Sequence, residues 1–357
     1  MDNRELNRYI DRPTLRIVDA MKKIDANAKQ VLFIVDAADR LIGCVTDGDI
    51  RRFLIKTGNL QASVELAMNS SPKCLLKNDC ADAVSFCCEQ GITAVPVVDD
   101  DRKILDIVFK EKESMVSSKS TSTLMGIPVV IMAGGAGTRL YPYTKILPKP
   151  LIPIGDVPII ERIMDRFVEF GISDFYLTVN YKKGMIRSYF NDLSPQYRIS
   201  YVEESKPLGT AGSIRLIEDE FQTPLFVTNC DTLIEADYSE IMNYHLRSGN
   251  DITVVSSLKN IAIPYGVLHF KEEGKVTKIE EKPHLSYFVN TGLYVINPSC
   301  IDYIPENSVF NMTDLIDALM KANKRVGTYP ISEDSFLDMG EFEEMKRMEE
   351  RLNISRG

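Results

Sequence analysis

The sequence predicts an α/β protein with a mostly parallel sheet, preceded by a smaller α/β domain made of two repeats. From residue 127 onward, apolar runs of strand length alternate with segments of helical spacing, which is typical of a parallel sheet covered on both faces. Before residue 113 the chain repeats itself. A Ser- and Thr-rich stretch separates the two parts, so we expect domains at 1–112 and 127–357, joined by a linker at 113–126.

The repeat in the front domain has a fixed offset. Val35 matches Val98 and Val45 matches Val108, each 63 positions later. Each copy predicts a helix, an apolar strand, a turn of acidic and basic residues, and a second apolar strand. The short turn makes the two strands antiparallel neighbours. Because one copy is too small to bury a good core, we expect the two copies to pack together.

The C-terminal part predicts alternating strands and helices. Strands are expected at 127–133, 174–180, 198–204 and 224–231. Helices are expected at 158–171, which Gly171 should end, at 182–192 and at 211–221. Ligands of such sheets gather at the carboxyl ends of the strands. We therefore expect the functional site at that edge.

Composition excludes several classes of protein. The net charge of −9 argues against a basic nucleic-acid-binding surface. No apolar run reaches the ~18–20 residues that span a bilayer, and the N-terminus has no apolar signal segment, so we expect a cytoplasmic protein. The seven cysteines include no C-x2-C pair. Their odd number and spacing favour reduced structural thiols over disulfides or zinc ligands.

The segment 133–155, AGGAGTRLYPYTKILPKPLIPIG, carries the strongest chemical signal. Its loop glycines let backbone N–H groups turn toward an anion. Arg139 adds a guanidinium fork for phosphate oxygens, and Lys149 lies between two prolines that restrict its backbone. Together they predict a polyphosphate cradle. Neither the Walker motif nor the dinucleotide fingerprint fits this segment. The glycines concerned are Gly134, Gly135 and Gly137.

This segment resembles the signature of the sugar-1-phosphate nucleotidylyltransferases, the NDP-sugar pyrophosphorylases. The likeness continues from Ile127 to about Arg351 and implies a Rossmann-like nucleotidyltransferase domain. PLGTAGSI at 207–214 is similar to the loop that reads the nucleoside base. The resemblance implies that the nucleotide is bound by Ala133, Gly134, Gly135, Gly137, Thr138, Arg139, Gly209, Thr210, Ala211 and Gly212.

Further motifs of the same family follow in order. YGV, EKP and VNTGLYV resemble the sugar and sugar-phosphate contacts, and NCD and FLDMG resemble two metal-ligand motifs. The implied sugar contacts are Tyr265, Gly266, Glu281, Lys282, Asn290 and Thr291. The implied ligands of Mg²⁺ are Asp231 and Asp338.

The implied reaction is attack by a sugar-1-phosphate oxygen on the α-phosphorus of a nucleoside triphosphate. Because the nucleophile is already an anion, no general base is needed, and catalysis consists of positioning and charge neutralisation. Arg139, Lys149 and Lys282 would be the catalytic cations. Mg²⁺ suits carboxylate and phosphate oxygens. The alternative is a catalytically silent nucleotide-sensing subunit, but the chain retains the complete charged set.

The front repeats resemble a pair of CBS repeats over residues 8–112. The resemblance implies that Thr46 and Asp49 contact the phosphate and ribose of an adenine nucleotide. In the second copy Phe109 stands where Thr46 stands in the first. The alternative is that the pair only mediates assembly, and in either case we expect a homo-oligomer.

The substrates are implied by the combination of domains. A CBS pair joined to a PLGTAG-containing catalytic domain resembles the guanylyltransferases, which implies GTP. Among these it resembles the glucosamine-1-phosphate guanylyltransferases of legionaminic acid biosynthesis. Mannose 1-phosphate is the alternative acceptor, and uridylyl or thymidylyl transfer is a further alternative.

Overall fold

The computed structural model describes residues 3–27, 29–77, 83–110, 124–217, 220–340 and 342–352. The chain forms two compact units, one of Met1–Lys119 with Leu258–Tyr287 and one of Ser120–Ser257 with Phe288–Gly357. The predicted linker lies outside the described residues up to position 123, as does Cys80.

The first unit contains the repeat up to residue 110. Its strands form two three-stranded sheets, in the orders β1-β2-β3 and β4-β5-β6. The elements are α1 (Asn3–Leu6), β1 (Ile10–Asp11), α2 (Ile17–Asn27), β2 (Val31–Val35), β3 (Leu41–Thr46), α3 (Asp47–Thr57), β4 (Leu75–Leu76), α4 (Ala83–Gln90), β5 (Ala94–Val98) and β6 (Ile104–Phe109).

The two copies have the same strand register. Val31 pairs with Thr46 across β2 and β3, and Ala94 pairs with Phe109 across β5 and β6, so both partners shift by 63 positions (94 − 31 and 109 − 46). Both pairs are antiparallel, which confirms the hairpin prediction. The copies also share one core, in which the apolar side chains of β2 and β3 pack with those of β5 and β6. The repeats therefore bury each other.

The second unit begins with a βα alternation. Its elements up to the first long strand are β7 (Val129–Met132), α5 (Tyr143–Ile146), β8 (Pro153–Ile154), β9 (Val157–Pro158), α6 (Ile159–Val168), β10 (Asp174–Val179), α7 (Lys183–Leu193), β11 (Arg198–Glu203), α8 (Gly209–Gly212), β12 (Leu225–Asn229), β13 (Thr232–Ile234), α9 (Tyr238–Ser248) and β14 (Ile252–Ala262). Gly171, with φ of +88°, follows α6 as the sequence predicted.

The remaining elements complete both units. They are β15 (Val267–Phe270), β16 (Val276–Glu280), β17 (His284–Ile296), α10 (Met312–Lys321), β18 (Val326–Ile331), β19 (Phe336–Asp338) and α11 (Phe342–Arg351). Strands β15 and β16 form an antiparallel hairpin, and β13 pairs with β19.

The seven-stranded sheet has the order β11-β10-β7-β12-β17-β14-β18. The pairs β10–β11, β7–β10, β7–β12 and β14–β18 are parallel, whereas β12–β17 is antiparallel. Strand β7 is buried throughout: Val129 and Ile131 pack into one apolar cluster, and Val130 and Met132 pack into another. This confirms a mostly parallel sheet covered on both faces.

The predicted helix at 211–221 is wrong. Helix α8 starts earlier, at Gly209, and gives way to a 3-10 turn that ends at Leu216. The N–H groups of Ala211 and Gly212, in the first turn, have no partner within the helix and donate to the Phe310 carbonyl at 2.9 Å, so a residue distant in sequence holds this turn. Local periodicity does not reveal that partner. Residues 218 and 219 lie outside the described part.

The described residues can be compared with the sequence predictions on membrane spans, metal sites and cysteines. Among the described residues, no helix is long and apolar enough to cross a bilayer. The same residues hold no cluster of three or more His, Cys, Asp and Glu side chains suited to a metal. The free thiols are Cys44, Cys74, Cys87, Cys88, Cys230 and Cys300.

Candidate active site

A cleft of about 380 Å³ opens at the carboxyl ends of β7 and β12. It is lined by parts of the 132–140 segment, by Lys149, by side chains from 204–210, and by 229–231. The sequence predicted a site at this edge of the sheet, and the segments predicted to bind phosphate, to read the base and to supply the first metal ligand meet there.

Two glycines of the predicted phosphate loop, Gly134 and Gly137, lie where a Cβ would make close contacts. A Cβ on Gly134 would lie 2.4 Å from Glu204 Oε1. Gly137 has φ of +64°, and a Cβ there would lie 2.9 Å from both Thr144 and Lys149. A side chain at either position would displace its neighbours. The loop thus brings bare backbone up to the cleft, as an anion site requires.

Two carboxylates from distant segments lie beside each other, Asp231 in the turn before β13 and Asp338 at the end of β19. The backbone N–H of Met339 donates to the Asp231 carbonyl at 2.9 Å, and Asp338 lies in the β13–β19 ladder. Burial raises the pKa of Asp338, and the Asp231 charge raises it further, while Lys149 and Arg139 oppose both effects. Two negative charges are therefore held together in a region with little water.

Lys149 is the cation at this carboxylate pair. Its Nζ donates to the Asp231 carboxylate, and the two side chains are only 13% and 9% exposed. Lys149 begins a 3-10 turn after the extended Pro148, which agrees with a restricted backbone. Arg139, by contrast, is exposed on the cleft wall.

The carboxylate pair fits a magnesium ion. Mg²⁺ is commonly held by one or two carboxylates, with water and substrate phosphates completing its coordination. Asp231 and Asp338 supply two hard oxygen donors, and their mutual repulsion would be relieved by a cation. In the described part of the chain no third His, Cys, Asp or Glu joins them, so the remaining ligands would be water and phosphate oxygens.

The predicted base-reading loop is held by the start of α10. The Thr210 hydroxyl accepts the Met312 N–H at 2.9 Å, and the Thr210 N–H donates to Asn311 Oδ1 at 3.3 Å. Gly209 and Thr210 line the cleft. Ala211 and Gly212 are buried behind them, so any nucleotide contact of theirs is through the backbone or indirect.

Two predicted sugar contacts in β17 do not line the cleft. The Thr291 hydroxyl is buried and donates to the Val255 carbonyl at 2.8 Å. The Asn290 amide donates to the Tyr294 hydroxyl at 2.8 Å. Both side chains form hydrogen bonds within the sheet, and sugar binding by them stays a prediction.

The other predicted sugar contacts lie in the Leu258–Tyr287 part of the first unit. Glu281 Oε2 lies 3.0 Å from the Cβ position of Gly266. Lys282 has a left-handed backbone with φ of +45°, and Tyr265 is 74% exposed. Their roles also stay predictions.

The predicted adenine-nucleotide residues of the front domain contact each other. Thr46 caps helix α3: its hydroxyl accepts the Asp49 N–H at 3.3 Å, and the Asp49 carboxylate accepts the Thr46 N–H at 2.9 Å. Phe109, at the matching place of the second copy, packs on the Tyr9 ring at 4.9 Å. The capping box gives Thr46 and Asp49 a structural role, and nucleotide binding stays a prediction.

Sequence reasoning missed Glu204. Its side chain lines the cleft, although the residue is only 8% exposed, and its Oε2 accepts the Leu208 N–H at 3.2 Å. Burial raises the pKa of Glu204, and the Leu208 N–H opposes that shift. Across the described residues no Lys or Arg pairs with it, whereas the preceding Glu203 pairs with Lys183. The available signal was an acidic pair at the end of a predicted strand, directly before the base-reading loop.

Comparisons with known proteins agree with this geometry. A family model for nucleotidyl transferases matches residues 128–353, which is more than half of the chain. A CBS domain model matches residues 12–56, within the first repeat. The crystal structure of HddC from Yersinia pseudotuberculosis is 27% identical, with a TM-score of 0.50, over 63% of this chain and 99% of that one.

Curated relatives match the catalytic part. The mannose-1-phosphate guanyltransferase of Debaryomyces hansenii is 32% identical over 221 residues, which are 59% of this chain and 60% of that protein. The mannose-1-phosphate guanyltransferase of Neurospora crassa is 34% identical over 184 residues, 49% and 50% of the two chains. The chain thus spans about half to three fifths of the length of these relatives.

Proposed function

Because this chain belongs to the nucleotidyl transferase family, we propose that it transfers a nucleoside monophosphate from a nucleoside triphosphate to a sugar 1-phosphate. The observation that carries the proposal is one cleft in which Lys149, Asp231 and the glycine loop meet, with Asp338 electrostatically coupled to them. A catalytically silent regulatory subunit would not need this set of charged residues. The presence of the whole set in this chain therefore supports an active enzyme.

In the proposed reaction, an oxygen of the sugar phosphate forms a bond to the α-phosphorus and the bond to pyrophosphate breaks. The glycine-loop N–H groups and Arg139 bind the triphosphate, and Lys149 neutralises charge on the reacting phosphates. Asp231 and Asp338 would hold Mg²⁺, which supplies further charge neutralisation when bound. Lys282 would bind the sugar phosphate.

GTP is the proposed donor. Guanine presents two adjacent N–H donors on one edge, which a carboxylate such as that of Glu204 accepts together. Uracil and thymine present one donor between two carbonyl oxygens, so a buried carboxylate would face an acceptor. Glu204 lines the same cleft as the phosphate loop. The names of the fungal relatives, both guanyltransferases, also support guanine.

Two sugars are candidates for the acceptor. The relatives are named for mannose 1-phosphate, which supports that acceptor. Glucosamine 1-phosphate is the acceptor implied by the sequence resemblance. Purified full-length protein should release pyrophosphate from GTP with one of these sugars in the presence of Mg²⁺. UTP, dTTP and ATP are the comparison donors for GTP. Chelation of Mg²⁺ should stop the reaction. Absence of pyrophosphate with every pair would overturn the proposal.

For the front repeats we propose an adenine-nucleotide site near Thr46 and Asp49, within a homo-oligomer. Support comes from the CBS match over residues 12–56. Calorimetric titration of the full chain with AMP, beside the Asp49→Asn variant, tests this. Equal heat in both proteins would exclude Asp49 from the site, and absence of heat in the wild type would leave assembly as the role of the repeats.

A further inference from the structure

We infer that the turn 180–182, formed by Asn180, Tyr181 and Lys182, positions the nucleotide cradle and that Lys182 is its main positioning residue. The inference rests on the proposed function, because the cradle is the proposed triphosphate site. The turn connects β10 to α7. None of its three side chains lines the cleft, so it would act through the segments that it contacts.

Tyr181 contacts both sides of the phosphate loop. Its backbone N–H donates to the Gly134 carbonyl at 3.4 Å, where the loop begins. Its hydroxyl donates to the Thr144 carbonyl at 3.0 Å, in the one-turn helix α5 that follows the loop. A single residue therefore bridges the two ends of the segment that carries Arg139.

Lys182 holds the end of α5. Its Nζ donates to the Lys145 carbonyl and, at 2.8 Å, to the Ile146 carbonyl. The last carbonyls of a helix have no partner within it, and a cation at that end is favourable. Helix α5 buries only Thr144, and Ile146 is 74% exposed. The Lys182 hydrogen bonds, together with the bond of the Tyr181 hydroxyl to Thr144, therefore help to place α5.

Helix α5 in turn supports the glycine loop. The Thr144 methyl group lies 2.9 Å from the Cβ position of Gly137, whose φ is +64°. Thr144 is therefore packed against the loop backbone two residues before Arg139. If α5 shifted, Gly137 and the phosphate-binding N–H groups around it would lose that support.

The same turn reaches the proposed base contact. The Asn180 amide donates to the Glu204 carbonyl at 3.0 Å. Lys182 itself has φ of +52°, a left-handed conformation that is unfavourable for residues other than glycine and asparagine. The residue with the unfavourable backbone conformation is the one whose side chain reaches α5. Such conformations are often found where they position groups of a functional site.

The test must separate positioning from simple stabilisation. Lys182→Asn keeps a residue that tolerates the left-handed backbone and removes the reach to α5. We expect the KM for GTP to rise about tenfold, because small misplacements of a binding group are costly. The KM for the sugar phosphate should stay within about twofold, and Lys182→Arg, which retains a long cationic donor, should restore most of the loss.

Lys183→Asn is the matched control. It removes the same charge one position later, where Lys183 pairs with the exposed Glu203. Its kinetic constants should equal those of the wild type. Amide hydrogen exchange measured on the segment 138–149 should be faster in Lys182→Asn than in the wild type or in Lys183→Asn. This difference should appear with or without turnover.

Two results would overturn the inference. One is unchanged exchange and an unchanged KM for GTP in Lys182→Asn. The other is a lower melting temperature with both KM values raised alike and no rescue by arginine, since that is the behaviour of a purely structural residue. If the wild-type protein releases no pyrophosphate, the proposed function fails, while the exchange comparison still tests the role of Lys182.

Discussion

Asp231, in the turn before β13, lies beside Asp338 at the end of β19, with the N–H of Met339 donating to the Asp231 carbonyl at 2.9 Å. Their side chains are close enough that the Asp231 charge raises the pKa of Asp338 beyond the effect of burial. Of the charged groups around them, only Lys149 forms an ion pair with Asp231 among the described residues. Asp231 and Lys149 line the cleft, Asp338 adds a second carboxylate beside them, and three of the following predictions depend on that region.

Replacing either carboxylate should separate activity from stability. Asp338→Asn removes a charge that the folded chain disfavours, so without Mg²⁺ the melting temperature should stay the same or rise. Pyrophosphate release should nevertheless fall by about 100-fold or more, because a metal-supporting charge is lost. Asp231→Asn should lose activity similarly but should free Lys149 from its ion pair. Wild-type turnover at limiting Mg²⁺ in either variant would contradict the ligand assignment.

Lys149→Met should lower both rate and stability. The variant leaves the buried Asp231 carboxylate without its cation, which is the costly way to break a buried pair, by about 3 kcal/mol in the free energy of unfolding. The rate should fall by about 100-fold. Added Mg²⁺ should restore part of the melting temperature.

Arg139→Ala is the matched comparison for Lys149. Arg139 is exposed, so its loss should slow pyrophosphate release by about 100-fold without lowering the melting temperature. If Lys149→Met were as stable as Arg139→Ala, the ion pair with Asp231 would have no role in folding.

Glu204→Gln should change the choice of base. A glutamine side chain offers one donor and one acceptor, and so no longer suits the two N–H donors of guanine. We expect the ratio of kcat/KM for GTP over UTP to fall by about tenfold or more. Glu203→Gln, one position earlier and on the surface, should keep the wild-type ratio. Equal ratios in all three proteins would exclude Glu204 as the base contact.

His245 should make stability depend on pH. Burial lowers the pKa of His245, although the Asn297 hydrogen bond and Asp251 oppose the shift. The unfolded chain then binds more protons than the folded chain as the pH falls below about 6.5, so stability should decrease there. Chemical unfolding of His245→Gln between pH 7.5 and pH 5, about one unit to either side of that value, should show a shallower decline. Parallel curves for variant and wild type would contradict the assignment.

Much of the fold could be read from local pattern. The 63-residue offset predicted the paired repeats, and the same offset recurs in the strand registers of Val31–Thr46 and Ala94–Phe109. Apolar runs predicted the strands of the main sheet because a buried parallel strand needs apolar side chains on both faces. The glycine loop was also predictable, since glycine is required where backbone approaches a ligand or another side chain.

The helix at 211–221 shows where local pattern fails. The N–H groups of Ala211 and Gly212 donate to the Phe310 carbonyl, and nothing near residue 211 in the sequence reveals that contact. The position of Glu204 in the cleft depends in the same way on how its loop folds over Gly134.

The sequence by itself determined the paired repeats, the strand-forming segments and the glycine loop, because periodicity and glycine placement are local requirements. Only the tertiary structure decided that Asp231 meets Asp338 and Lys149, that Glu204 lines the cleft, and that Lys182 holds α5. The physical reason is that these contacts join segments distant in sequence. Strand pairing and loop packing bring those segments together, and no periodic pattern in the sequence of those residues predicts the contacts.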